Sequence, residues 1–231
     1  MGYIKSTDIA YIHKGLKWLA KEFDLKYDSK WFSYLMVSRR ALVLNDYLTG
    51  CPEFNHFGKS DREKIANLDK FLASKEYNGR INSVMSGCVK LKNEFEHEVK
   101  LADYIEDKDV RKEYLALLSQ AKTKYKQGIL ILIAEPRNQR EVRPFLDVLS
   151  HEWKHILLHQ NKLYREFFGL GQDHWLIDEG ITTYFDMLTT PQRFWDVKYH
   201  REGLKWKKIL KNIKDPYERR KVIISHFGSF Q

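Results

Sequence analysis

The segment His151-Glu152-Trp153-Lys154-His155 combines the residue types and the spacing that a catalytic metal site requires. It lies within residues 144–159, where apolar residues recur at helical intervals and predict an amphipathic helix. On such a helix His151 and His155 are one turn apart and face the same way, so both imidazoles can bind one Zn²⁺. Glu152 is then placed to act on a water molecule at the metal rather than on the metal itself.

A third ligand is expected elsewhere in the chain, because a catalytic zinc ion takes three protein ligands and keeps one position open. The segment Trp175-Leu176-Ile177-Asp178-Glu179-Gly180-Ile181-Thr182-Thr183-Tyr184-Phe185 supplies a candidate. Glu179 follows His155 by 24 residues. That distance allows the first helix to end, a loop to turn at residues 168–173, and a second helix to pack back towards the metal.

The sequence HEWKH followed by WLIDEGITTYF resembles the gluzincin metallopeptidases, the group that contains thermolysin, aminopeptidase N and the minigluzincins. Their pattern is His-Glu-x-x-His with a later glutamate on a following helix. The resemblance covers residues 145–187 and implies that His151, His155 and Glu179 are zinc ligands and that Glu152 is the general base. It also implies a zincin-like core, peptide hydrolysis and Zn²⁺ as the cofactor.

Three more residues of the second segment are candidates for supporting the ligands. Asp178 matches the acidic or amide residue that precedes the ligand glutamate in the family pattern. Thr183 lies four residues after Glu179 and could orient a ligand from behind. Tyr184 is one candidate donor to the oxyanion that forms during amide hydrolysis. The other candidate donors are Tyr199, His200, Tyr217 and His226.

Two other histidines compete with Glu179 for the place of the third ligand. His159 follows His155 by four residues, but three histidines on successive turns of a straight helix cannot converge on one ion, since each step rises about 6 Å. His174 lies in the expected returning loop, and a site completed by a distant histidine resembles the SprT-like DNA-associated proteases. We favour Glu179.

The composition of the chain limits the class of protein to which it can belong. The chain has 231 residues, of which 43% are hydrophobic and 14% aromatic, which is enough to bury a core in one or two domains. The two cysteines, Cys51 and Cys88, fit neither a disulfide framework nor a cysteine-rich zinc site. Residues 1–6 lack a signal-peptide apolar core and no apolar run is long enough to cross a membrane, so we expect a cytoplasmic protein.

The apolar pattern predicts a predominantly helical α+β fold with a small sheet. Ser60-Asp61-Arg62-Glu63 is a capping-box pattern that predicts one helix start. Residues 128–134 predict a strand, which is either a buried core strand or an edge to which an extended peptide adds. Other helices are predicted over residues 8–23, 29–49 and 81–126, the last with a break near Asp107-Lys108-Asp109.

We divide the chain at the predicted strand. Residues 1–127 form a helical N-terminal region that serves either in recognition or as a pro-segment that blocks the cleft. Residues 128–231 form the zincin-like metallopeptidase core with basic C-terminal helices.

The C-terminal part of the chain is strongly basic. Residues 191–231 carry 11 Lys or Arg and 4 Asp or Glu, a net charge of +7 out of +9 for the whole chain. The lysines surround apolar residues such as Trp206 and Leu210. The pattern predicts either an electropositive face for nucleic acid, anionic lipid or an acidic substrate, or a solvated helix whose apolar stripe packs on the core.

Together these features predict a zinc-dependent metallopeptidase in which Glu152 takes the proton of the attacking water. Its partner is then a peptide or protein substrate, and the absence of a motif for gripping a free amino terminus favours an endopeptidase. Two alternatives stay open. One is a SprT-like DNA-associated protease with His174 as third ligand, and the other is a non-catalytic helical protein that binds zinc or nucleic acid.

Overall fold

The structure is a computed structural model that describes residues 4–49, 54–82, 87–91, 95–125, 129–161, 163, 171–189 and 197–228. Of the described residues 73% are helical, and these residues also form one small three-stranded sheet. The predominantly helical α+β class predicted from the sequence is therefore confirmed. No helix in the described ranges is both long and apolar enough to cross a membrane.

The described part of the chain contains eleven α-helices and three strands. The helices are α1 (Ser6–Glu22), α2 (Arg39–Leu48), α3 (Asp61–Ala66), α4 (Leu68–Leu72), α5 (Lys75–Asn82), α6 (Phe95–Asp103), α7 (Lys108–Lys124), α8 (Val142–Gln160), α9 (Gly171–Thr189), α10 (Val197–Leu210) and α11 (Pro216–Gly228). The strands are β1 (Tyr34–Val37), β2 (Gly87–Leu91) and β3 (Ile129–Ala134).

The chain forms two compact units, one made of Met1–Trp31 with Leu149–Gln231 and the other of Phe32–Val148. The first unit contains α1, the part of α8 from Leu149 onwards, and α9 to α11, and so it carries every candidate metal ligand. The second unit contains the sheet. This division differs from the predicted boundary after residue 127, and the recognition or pro-segment role given to the first part stays a prediction.

The sheet is built around β3, in the order β1-β3-β2. β3 pairs in parallel with β1 and antiparallel with β2, and all six of its residues are buried. Full burial of each of its aliphatic side chains contributes about 1.5–3 kcal/mol. Of the two interpretations of this strand, the buried core strand is therefore the correct one. β1 and β2 occupy both edges of β3, so neither edge can accept a peptide.

The two partners of β3 lie inside segments that were predicted to be helical, and those two predictions are wrong in part. β1 falls within residues 29–49, of which α2 alone is α-helical, and β2 falls within residues 81–126. Leu35 and Val37 of β1 alternate with more exposed neighbours, as in a half-buried strand. The strand state wins because β3 satisfies the backbone of both segments, a non-local contact that local periodicity does not reveal.

Two predicted helix boundaries are confirmed by their caps. Ser60 Oγ accepts a hydrogen bond from Glu63 N at 3.3 Å, and the Glu63 carboxylate accepts from Ser60 N at 3.1 Å, which completes the capping box of α3. The expected break near Asp107 is the start of α7. There the Asp107 carboxylate accepts hydrogen bonds from Asp109 N and Val110 N.

Helices α9 and α10 approach closely at two glycines. A methyl group on Gly203 would lie 2.7 Å from Thr183 Cγ2 and 2.9 Å from Met187 Cε. One on Gly180 would lie 2.9 Å from Glu202 Cβ. Both distances are shorter than van der Waals contact, so the absence of a side chain at these positions lets α10 support the helix that carries Glu179.

We expect Gly203→Ala to lower the free energy of unfolding by about 1–3 kcal/mol, because the added methyl group overpacks the contact between α9 and α10. The matched control is Gly79→Ala on α5, where an added methyl group meets nothing within 4 Å. That change should raise stability by about 0.5–1 kcal/mol through helix propensity. Urea unfolding of the three proteins measures both effects, and equal stability of the two variants would contradict this account of the contact.

Candidate metal centre

Helices α8 and α9 bring His151, His155 and Glu179 together. His151 Nε2 lies 3.2 Å from His155 Nε2 and 3.3 Å from Glu179 Oε2. His155 Nε2 lies 3.6 Å from Glu179 Oε1. The three residues thus form a group that could hold a metal ion, since one ligand atom from each lies within 4.8 Å of the other two. The sequence predicted that these three residues bind a metal ion, and their roles as ligands stay a prediction.

The spacing of the three side chains fits a zinc ion. Zinc binds histidine nitrogen and carboxylate oxygen at about 2.0–2.2 Å, and in a tetrahedral site this places neighbouring donors roughly 3.3 Å apart. The 3.2 Å between the two Nε2 atoms agrees with that geometry. Glu179 lies near both rings, with Oε2 3.3 Å from His151 Nε2 and Oε1 3.6 Å from His155 Nε2. The donor set of two imidazoles and one carboxylate also suits zinc.

A carboxylate stands behind each histidine and fixes which ring nitrogen carries the proton. His151 Nδ1 lies 2.6 Å from Asp186 Oδ2, and His155 Nδ1 lies 2.6 Å from Asp178 Oδ2. Since an ionised carboxylate can only accept, we infer that each Nδ1 donates its hydrogen. Each neutral imidazole then has a lone pair on Nε2. The two Nε2 atoms and Glu179 face one another, so either a proton on a ring or a bound cation can lie between them.

The electrostatics of the site favour a cation. The carboxylates of Asp178, Glu179 and Asp186 contact the two rings, and that of Glu152 interacts with both electrostatically. Burial alone favours the neutral imidazole of His155, but the carboxylates of Asp178 and Glu179 outweigh it and raise its pKa to about 9. Burial opposes the charged form of His151 as well, and Asp186 and Glu179 still raise its pKa well above the usual range. A divalent ion would be attracted by the same carboxylates.

Glu152 is partly buried beside the three candidate ligands. Burial, with a further contribution from the Glu179 and Asp178 carboxylates, raises its pKa above the usual range, although His155 and His151 act in the opposite direction. A carboxylate with a raised pKa is a better proton acceptor and, once protonated, can return the proton to a leaving group.

Sequence reasoning missed three contributors to the site, namely Thr182, Asp186 and Lys154. Thr182 Oγ1 lies 3.2 Å from His155 Nδ1, and Asp186 is the carboxylate behind His151. Residues 179, 182 and 186 follow the i, i+3, i+7 rule and share one face of α9, which is a signal that the sequence did contain. Lys154 is a charged residue on the interior side of α8, and nothing local in the sequence shows that it is buried.

Thr183 and Tyr184 have other neighbours than the candidate ligands. Thr183 is fully buried, its methyl group is the one nearest to Gly203, and its Oγ1 makes no hydrogen bond within the described part of the chain. Tyr184 packs edge-to-face on Phe23 with ring centroids 6.2 Å apart. The orienting contact that was expected of Thr183 is made by Thr182 instead.

The two competing histidines also have defined positions. His159 is buried one turn beyond His155, and its ring lies edge-on to Trp31 with centroids 6.0 Å apart. His174 belongs to the first turn of α9 rather than to a loop, because that helix begins at Gly171. The side chain of His174 lies outside the described residues, so the alternative that uses it as a ligand stays a prediction.

The basic C-terminal helices combine buried apolar residues with exposed lysines. Trp206 and Leu210 of α10 are buried, whereas Ile209 is 38% exposed, so the predicted apolar stripe is only partly covered. Lys205 pairs with Glu202 at 2.6 Å. Four other exposed lysines make no ion pair with any residue that the structure describes, and these are Lys207, Lys208, Lys211 and Lys214.

A scan of protein-family models and searches of curated proteins and solved structures found no match to this chain. The resemblance to gluzincins therefore rests on the residues of two segments, and the argument for a metal site rests on the geometry of α8 and α9.

We expect Glu179→Ala to lose most of its zinc, because only the two histidines then remain of the three converging ligands. Elemental analysis of protein purified without added metal should give about one zinc ion per wild-type chain and much less than one in the variant, whose affinity for zinc should be at least tenfold weaker. Glu218→Ala, at an exposed position of α11, is the matched control and should keep its zinc. Full retention of zinc by Glu179→Ala would move the third ligand to His174 or His159.

Proposed function

We propose that this protein is a zinc-dependent metallopeptidase that hydrolyses internal peptide bonds. The observation that carries the proposal is that ligand atoms of His151, His155 and Glu179 all lie within 4.8 Å of one another, with Glu152 beside them. Because two carboxylates engage the Nδ1 atoms of the histidines, both Nε2 atoms are available to the ion. The resemblance of HEWKH and WLIDEGITTYF to gluzincins supports the same activity.

The number of candidate ligands supports catalysis over a structural role for the metal. Structural zinc sites are almost always closed by four protein ligands, whereas catalytic sites hold three and leave one position for water or substrate. Among the residues that the structure describes, the group that can hold the ion has three members. This favours the peptidase over a non-catalytic zinc protein.

In the proposed mechanism the side chains of the chain hold the ion and move one proton. His151, His155 and Glu179 would hold Zn²⁺, which when bound would supply Lewis acidity for the scissile carbonyl and for the attacking water. Glu152 accepts the proton of the attacking water, and its raised pKa lets it pass that proton to the leaving amine. The carboxylates of Asp178 and Asp186 keep the two rings oriented throughout. The predicted cytoplasmic location is kept as part of this proposal.

We expect Glu152→Gln to lower the rate of peptide hydrolysis by about 10²–10⁴-fold while zinc binding stays at the wild-type level, since the amide cannot accept the proton. Cleavage of an unfolded protein such as casein, followed by mass spectrometry, measures the rate and shows whether internal bonds are cut. The control is Glu202→Gln on α10, which makes the same chemical change outside the site. This variant should cleave casein at the wild-type rate. Wild-type activity in Glu152→Gln would refute the role of Glu152, and casein left intact by the zinc-bound wild type would refute the peptidase.

We also propose that the basic surface formed by Lys207, Lys208, Lys211 and Lys214 binds an acidic segment of the substrate or a nucleic acid. Its support is that these exposed lysines have no acidic partner within the described residues, so their charge is available to another molecule.

The surface is tested by charge reversal. Lys208→Glu/Lys211→Glu should weaken binding to single-stranded DNA or to polyglutamate by about tenfold at low salt, and wild-type binding should weaken as salt rises. The control Lys112→Glu/Lys124→Glu changes two exposed lysines of α7 and alters the net charge equally. Similar losses in both double variants would mean that net charge alone attracts the polyanion, and the proposed surface would be abandoned.

A further inference from the structure

Lys154 is a charged residue in the interior of the site-bearing unit. It lies on α8 between the two histidines, and its side chain is 1% exposed. Lysine is almost never fully buried unless its ammonium is paired. Here Nζ donates to Asp186 Oδ1 and to Ser150 Oγ, the latter at 2.9 Å.

Asp186 connects this buried lysine to a candidate metal ligand. Its side chain is completely buried, and its two oxygens have different partners. Oδ1 accepts from Lys154 Nζ, and Oδ2 accepts from His151 Nδ1 at 2.6 Å. A single carboxylate of α9 therefore holds two side chains of α8 that lie three residues apart.

The stability of the fold does not by itself account for this pair. Burying an ammonium and a carboxylate costs desolvation energy that their attraction often fails to recover, and apolar residues of similar volume can be equally stable. The contact of Asp186 with His151 gives the pair a second consequence. With Oδ1 held by Lys154, the carboxylate cannot rotate away, and Oδ2 keeps facing the imidazole.

The two histidines are supported differently. His155 has Asp178 behind it, but Asp178 Oδ1 makes no hydrogen bond within the described residues. Asp186 has a partner on each oxygen. The buried ammonium of Lys154 therefore holds Asp186, the carboxylate behind His151. Asp178, the carboxylate behind His155, has no such contact with an ammonium in the part of the chain that the structure describes.

We propose that Lys154 is a positioning residue for the metal centre. It holds Asp186 so that the imidazole of His151 keeps Nδ1 on the carboxylate and presents Nε2 to the ion. This inference rests on the proposed function, because it assumes that His151 binds the metal. It adds to that function the residue that sets the orientation of one ligand.

The test compares Lys154→Met with the matched control Lys64→Met. Both lysines are buried, Lys64 at 3% exposure, but Lys64 belongs to the other compact unit. The zinc dissociation constant is measured by competition with a chelator on protein that circular dichroism shows to be folded. Lys154→Met should raise the constant by about 10–100-fold. Lys64→Met should keep it within about twofold, even if both variants lose stability.

Two further readouts separate positioning from a general loss of structure. Substitution by Co²⁺ gives visible absorption bands that report ligand geometry, and these should shift in Lys154→Met but not in Lys64→Met. Lys154→Gln retains an N–H donor for Asp186 and should recover part of the zinc affinity. If Lys154→Met does not fold, Asp186→Asn decides, since a wild-type dissociation constant and spectrum in that variant would overturn the inference.

A double-mutant cycle with Asp186→Asn tests whether Lys154 acts through the carboxylate. Asp186→Asn alone should weaken zinc binding, and adding Lys154→Met should then change the dissociation constant little, because both changes remove the same support of His151. Fully additive losses would contradict that route. Wild-type protein that binds no zinc would refute the metal site itself, whereas normal zinc binding in Lys154→Met would overturn the positioning role alone.

Discussion

The interaction on which the site depends is the hydrogen bond from each histidine Nδ1 to a buried carboxylate. Asp186 and Asp178 each contact the Nδ1 atom of one ring and leave the two Nε2 atoms 3.2 Å apart. The Nε2 atoms and the Glu179 carboxylate need a positive charge between them, which protons on the rings can supply and a metal ion can replace. One ion can meet all three groups at once, which is the main physical reason to infer a metal.

The same constraint explains the construction of α9. Its residues at positions 178, 179, 182 and 186 present three carboxylates and one hydroxyl to α8, so a single helix supplies a candidate ligand and the support of both rings. Such a helix must be held rigidly, because an error of about 1 Å in ligand position is costly to function. Close packing of α10 at Gly180 and Gly203 supplies this rigidity.

The function that we propose rests on the same geometry together with the neighbouring Glu152. A buried cluster of carboxylates needs positive charge beside it, and proteins place such clusters mainly at functional sites. Lys154 offsets one of these charges, and the two histidines, or the metal ion that we propose, offset others. The partly buried Glu152 is then the one carboxylate of the cluster with no place among the ligands or their supports, which suits a residue that transfers a proton.

The sequence by itself determined the local features of this protein. The spacing of His151 and His155, the capping box at Ser60 and the buried strand β3 are each written in a few consecutive residues, and the structure contains all three. The tertiary structure alone decided the partners of β3 and the burial of Lys154. Strand pairing and burial depend on contacts between residues far apart in the chain, and those contacts can override a local helical pattern. For that reason the chemical groups of the site and one of their supports, Asp178, could be predicted from the sequence, but the burial of Lys154 could not.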